Sequence, residues 1–137
     1  FRDELQFLVS PQHPWAKMAS IPRSEIPRQS FIHYNKNSIT FRLVENYFRR
    51  ENITLNTVIE VGSMEATKEL VKLGLGVCVM ANWVARKELE EKSLVAIPLG
   101  RRKLVRTWGM LHLQAKRLSL AEESFIATCK LMTEKLE

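Results

Sequence analysis

An α/β fold, a mixed sheet flanked by helices on both faces, is predicted by three features of this sequence. Strand-like and helix-like stretches alternate almost throughout. The stretch Ile59 to Ala81, IEVGSMEATKELVKLGLGVCVMA, has the form of a complete β-α-β crossover. The chain closes on a helix announced by a capping box, Ser119 with Glu122.

Taken in order, Leu5 to Val9 reads as a strand and Ser10 to Pro14 as a loop, because two prolines remove donors and fix φ. Ser20 to Ile26 can form one short helical turn. Phe31 and Ile32 make a brief strand running into His33 and Tyr34, and the polar Asn35 to Ser38 is a loop. The helix from about Thr40 to Arg50 puts Phe41, Val44, Tyr47 and Phe48 on one side and Arg42, Glu45, Arg49 and Arg50 on the other. In the crossover, β-branched Val58, Ile59 and Val61 form a strand, and Ser63 supplies an N-cap oxygen. Glu65 suits the positive end of the helix, Ala66, Leu70 and Leu73 make its apolar stripe, and Gly74 stops it. Gly76 then releases the chain into Val77 to Met80, read as a parallel strand covered on both faces. Trp83 to Glu91 reads as a helix with Val84 and Leu89 inward, and Leu94 to Leu99 and Trp108 to Leu113 read as strands. The last helix, from Leu120 to about Lys135, would turn Ala121, Phe125, Cys129, Met132 and Leu136 inward. Its apolar side needs a partner, which suggests self-association.

The chain's 137 residues, 45% hydrophobic and 26% charged, suit one globular domain. No apolar run approaches the length that spans a bilayer, and no secretory signal opens the chain, so a cytoplasmic protein with no membrane partner is expected. Cys78 and Cys129 lack metal-ligand or redox spacing and read as buried thiols. The net charge of +6 is scattered in sequence. Its one tight cluster, Arg101, Arg102 and Lys103 with Arg106 nearby, reads as a solvated connection, with a phosphate contact as the alternative.

The segments Phe7 to Ala16 (FLVSPQHPWA), Ser38 to Arg42 (SITFR), Glu60 to Ala66 (EVGSMEA) and Val71 to Val77 (VKLGLGV), in this order and spacing, resemble the effector-binding region of LysR-type transcriptional regulators. Leu94 to Leu99 and the tail from Arg117 to Ile126 fit the same family. The run Ser63-x-Glu65-Ala66-x-Lys68 is similar to a pattern in regulators of carbon-fixation operons. The chain departs from many members at Met80-Ala81-Asn82, where they carry Leu-Pro, and at Ile39, where they carry glycine.

The resemblance implies a periplasmic-binding-protein-like fold of type 2, two α/β subdomains joined by two crossing strands with a small effector in the cleft. Residues from about 5 to 104 would be the second subdomain. Residues from about 105 to 137 would be a return hinge strand and the terminal helix of the first, in a truncated effector-binding domain. Leu5 to Val9 and Trp108 to Leu113 would be the hinge strands. Such a domain pairs with its own copies as a homo-oligomer and meets DNA only through a domain absent from this chain.

Within that frame the helix tips at Ser38 to Phe41 and Gly62 to Met64 would hold a carboxylate or phosphate. Ser38, Thr40 and Ser63 offer hydroxyls, and the amides near Gly62, Ser63 and Met64 offer N–H donors. The structural alternative is that the three hydroxyls are plain caps. His33, at the carboxyl end of a strand, lies where open α/β sheets place ligand contacts, or in a surface loop. His13 reads as a structural hydrogen-bonding residue, and His112 lacks partners at metal spacing. Trp15, Trp83 and Trp108 read as packing residues, and Glu88, Glu90, Glu91, Glu122 and Glu123 as solvated helix faces. Leu73-Gly74-Leu75-Gly76 follows a helix and so lacks the context of a dinucleotide fingerprint. No catalytic constellation, cofactor or metal is expected. The competing function is a solute-binding protein or an α/β enzyme of similar architecture.

Overall fold

The computed structural model describes residues 1–115 and 117–134. The chain divides into two compact units, Glu4–Leu104, and Phe1–Asp3 with the residues from Val105 onward.

The larger unit is organised by β1 (Arg2–Val9), whose alternation sends side chains to two separate cores. Leu5, Phe7 and Val9 enter one core; Leu8 enters the other. After a 3-10 turn at Pro14–Lys17, capped by the His13 ring, and a second at Ile26–Arg28, the chain forms β2 (Ser30–His33) and α1 (Ile39–Arg49). The second turn falls beyond the expected Ser20–Ile26 because Pro27 presets φ just inside its start. Val44, Tyr47 and Phe48 of α1 pack with Phe7, Phe31 and Trp15 in the first core.

β3 (Asn56–Glu60) pairs in parallel with β2, and α2 (Met64–Lys72) follows. Ser63 caps α2, and the bonds Gly74 N–H to Val71 O (2.9 Å) and Leu75 N–H to Leu70 O (3.1 Å) close it in a Schellman motif. Val71 and Leu70 pack with Ile32, Leu8 and Cys78 in the second core, so α1 and α2 cover opposite faces of the sheet.

β4 (Cys78–Ala81) departs from the expected parallel strand. Only Val77 bridges in parallel, to Phe31, whereas Cys78–Ala81 pair antiparallel with Leu5–Leu8 of β1. A continuous apolar run reports burial on both faces, not the direction of the neighbouring strand. Gly76 permits the close approach at this seam, since a Cβ there would lie 2.5 Å from the Ser30 carbonyl oxygen. A 3-10 turn at Asn82–Ala85 then leads into the short α3 (Arg86–Glu90), in place of one continuous helix, and β5 (Val95–Pro98) pairs antiparallel with the other side of β1. The sheet order is β4-β1-β5.

β6 (Leu104–Thr107) also pairs with β1. The expected strand at Trp108–Leu113 is absent. Among the described residues the Trp108 backbone bonds to Phe1 alone, its N–H donating to Phe1 O at 2.9 Å and its carbonyl accepting from the Phe1 ammonium at 3.3 Å, and Leu111 and Leu113 are exposed. Hydropathy marked the wrong stretch: Leu104 and Arg106 alternate inward, and Arg106 is held by an acid partner that an apolar scan ignores. In the smaller unit, Arg106 forks onto both carboxylate oxygens of buried Asp3, and the Trp108 indole N–H donates to the same group at 3.0 Å. α4 (Leu120–Thr133) begins at the expected capping box. None of its residues is buried; Phe125 is 64% and Met132 57% exposed, so the apolar side is uncovered among the described residues. Leu136 lies outside them. Of the three tryptophans only Trp15 is buried.

Candidate functional site

The parallel pair β2 and β3 places two helix starts at one edge. His33 and Glu60 stand opposite each other at the carboxyl ends of these strands. The loops beyond stay joined, with Val61 N–H on His33 O at 3.2 Å and Gly62 N–H on Tyr34 O at 2.9 Å. A further bond, Lys36 N–H to Glu60 Oε1 at 2.9 Å, ties the first loop to the end of β3. α1 and α2 therefore run along opposite faces of the sheet yet start from the same carboxyl edge, the location at which open α/β sheets bind ligands.

Both caps are real. Ser38 Oγ accepts from Phe41 N–H at 3.0 Å and donates to Asn35 O at 2.8 Å. Ser63 Oγ accepts from Ala66 N–H at 3.3 Å, while Thr67 Oγ1 donates to Ser63 O at 2.9 Å. Thr40 lies in the first turn of α1 and is half-buried. Gly62 requires correction: its N–H is not an open donor, because the hydrogen bonding between the two strands continues one residue further and commits it to Tyr34. Its own contribution is a φ of +65°, which turns the chain into the cap. The first-turn amides of α2, at Met64 and Glu65, have no acceptor within the helix and carry the positive end of its dipole.

His33 is no surface-loop residue. It is 7% exposed, stacked on Phe31 and edge-on to Phe41 with centroids 4.7 Å apart, and its Nε2 is buried without a hydrogen-bond partner among the described residues. Burial, reinforced by the Lys36 charge, lowers its pKa to about 4, so the ring is neutral at physiological pH. Glu60 is the acid at this edge, and its residue identity gave no hint of that role.

A second polar group was hidden in the sequence. Glu88, expected on a solvated face, is 5% exposed and pairs with Lys68 of α2 at 2.9 Å; Lys68 is itself 4% exposed and also reaches Glu65 at 3.0 Å and Val84 O at 3.1 Å. Burial opposes both charges, but the mutual hydrogen bonds win: the ammonium is held above its usual range and the Glu88 carboxyl below its own. This pair fastens α2 to α3, and the Lys68 bond to Val84 O ties it to the turn before α3 as well. The spacing of Ala85, at the cap of α3, with Glu88 and Leu89 inside it was the available signal. Among the described residues no group of three or more His, Cys, Asp or Glu side chains is arranged to hold a metal. No helix there is long and apolar enough to cross a membrane.

The model of the LysR substrate binding domain family matches residues 1–132. The chain belongs to that family. As a LysR substrate-binding domain it has the periplasmic-binding-protein-like type 2 fold, and its family is one of transcriptional regulators, not an enzyme class. A probable RuBisCO transcriptional regulator of Thalassiosira pseudonana is 32% identical over 114 residues, 80% of this chain and 37% of that protein. The RuBisCO operon transcriptional regulator of Allochromatium vinosum is 27% identical over 121 residues, 88% of this chain and 40% of the relative. The Synechocystis PCC6803 CcmR regulatory domain in complex with 2-PG superposes with a TM-score of 0.77 at 26% identity, covering 97% of this chain and 64% of that one. The effector binding domain of QuiR in complex with shikimate gives a TM-score of 0.72 at 21% identity, covering 98% of this chain and 63% of its own, and supports the fold alone. The chain spans about two fifths of the length of the curated relatives it matches.

Proposed function

We propose that this LysR substrate-binding domain senses a small anionic metabolite at the shared carboxyl edge of β2 and β3. Binding there, within a longer cytoplasmic regulator that meets DNA through another domain, shifts the packing of a homo-oligomer and so transcription. It acts by binding and not by chemistry. The observation that carries this reading is the joined pair of loops, whose Tyr34–Gly62 bond at 2.9 Å holds two capped helix starts side by side. Ser38, Thr40, Ser63 and the Met64 amide would meet the anion, Gly62 shapes the turn, and His33 supports the floor as a neutral ring. Glu60 beside them disfavours a bare anion and suits an effector that also offers a hydroxyl donor. The complex of CcmR with 2-PG fits a ligand of this kind. The family match favours this reading over a solute-binding protein or an enzyme.

A thermal-shift screen of hydroxylated organic acids and phosphorylated acids, 2-PG included, on the full-length protein tests it. Ser63→Asp sharpens the test, because aspartate caps as well as serine while adding a negative charge at the tip. The variant is expected to keep its melting temperature and to lose at least about tenfold in affinity for the stabilising acid, roughly 1.4 kcal/mol. Unchanged affinity would remove the α2 tip from the site.

A further inference from the structure

We infer that the surface at the C-terminal end of α1 is a contact for the phosphate backbone of double-stranded nucleic acid. Basic residues far apart in sequence are gathered there by the fold. Arg23 lies 3.2 Å and Arg102 3.9 Å from the same carboxylate, Glu51, which immediately follows Arg49 and Arg50. Arg101 and Lys103 flank Arg102, and Lys103 pairs with Glu4 at 2.8 Å. Glu51 and Glu4 are sheltered, at 19% and 24% side-chain exposure, and Glu45 on the outward side of α1 is an exposed acid, whereas Arg23 is 73%, Lys103 72% and Arg102 47% exposed. Arg49, Arg50 and Arg101 are exposed as well. Solvent there meets six exposed cations against one exposed acid, with the Glu51 and Glu4 carboxylates set behind them.

Three features favour phosphate over an acidic protein. All the cations but Lys103 are arginines, whose planar fork matches phosphate oxygens bidentately. Arg102 is pre-set, its guanidinium 4.3 Å from the centre of the Tyr47 ring, with its Nη2 on Tyr47 O at 3.3 Å and the Tyr47 hydroxyl donating to its carbonyl at 2.5 Å. None of the large exposed hydrophobic residues falls within residues 23, 45–51 or 99–104, so the patch lacks the apolar centre of a protein interface and the aromatic platforms that stack single-stranded bases. Contact with a duplex backbone, without base reading, is what remains. This surface is independent of the effector edge.

Fluorescence anisotropy with a labelled duplex of arbitrary sequence, titrated with the 137-residue chain at several salt concentrations, tests the inference. Binding at about 50 mM salt is expected, with log K falling by roughly 4 to 5 per tenfold rise in salt. The variant Arg49→Gln, Arg50→Gln, Arg101→Gln should bind at least about tenfold more weakly and lose close to 3 from that slope. A control with the same charge change, Arg86→Gln, Lys87→Gln, Lys92→Gln, should leave the slope nearly intact. Absent binding at low salt, equal losses in both variants, or polyglutamate competing as well as duplex DNA would each overturn the assignment, the last in favour of an acidic protein partner.

Discussion

His33 shows how one position can be legible in place and misread in kind. Its location at the carboxyl end of a short strand was legible, and the structure puts it at that strand end, opposite Glu60, on the edge proposed to hold the effector. Its burial followed from a subtler signal, the shared face of residues two apart on a strand, which sets it beside Phe31. The consequence is measurable. The folded ring protonates only near pH 4, against 6.5 for an ordinary histidine, so between these values the unfolded chain binds more protons than the folded one. Stability is therefore full above about pH 6.5 and declines as pH falls toward 4, by up to about 3 kcal/mol. Urea midpoints measured across that window should drop, and His33→Phe, placed among Phe31 and Phe41, should flatten the dependence. An equal slope in the variant would assign the effect to other groups.

At the scale of elements, sequence signals with a covalent or steric origin were the clearest. The Ser63 cap, the Gly74 stop and the Ser119–Glu122 box all stand where the residues put them. Pairing was less readable, because an apolar strand carries no label for its neighbour: β4 turned antiparallel against β1, and β6 moved forward to the residues that Asp3 could hold. Charge within a helix was also ambiguous, since Glu88 and Glu90 differ only in what α3 sets against them. The Lys68–Glu88 pair gives that difference a magnitude. Lys68→Met leaves the buried Glu88 carboxylate to the more distant Lys72, at 3.9 Å, and should cost up to about 3–5 kcal/mol in chemical denaturation. Lys68→Met with Glu88→Leu should recover most of that loss, because well-packed apolar groups replace buried ion pairs at little cost. A double variant as unstable as the single one would mean that α2 depends on the charges themselves.

For the whole molecule, the exposed apolar side of α4 supports the proposed association. Sedimentation velocity should show the chain moving from monomer toward larger species as concentration rises, and Phe125→Asp should hold it monomeric. A monodisperse monomer for the wild type at high concentration would count against the proposed oligomer. The candidate binding edge was visible in the sequence as two helix starts, but the bond that joins their loops was not, because the pairing of β2 with β3 spans residues that nothing local connects. That shared edge is best tested by hydrogen exchange in the full-length protein, with and without the organic acid that stabilises it most. Amides of residues 34–42 and 61–68 should slow together at the same effector concentration. Protection confined to one of these segments, or to neither, would contradict a site formed by both.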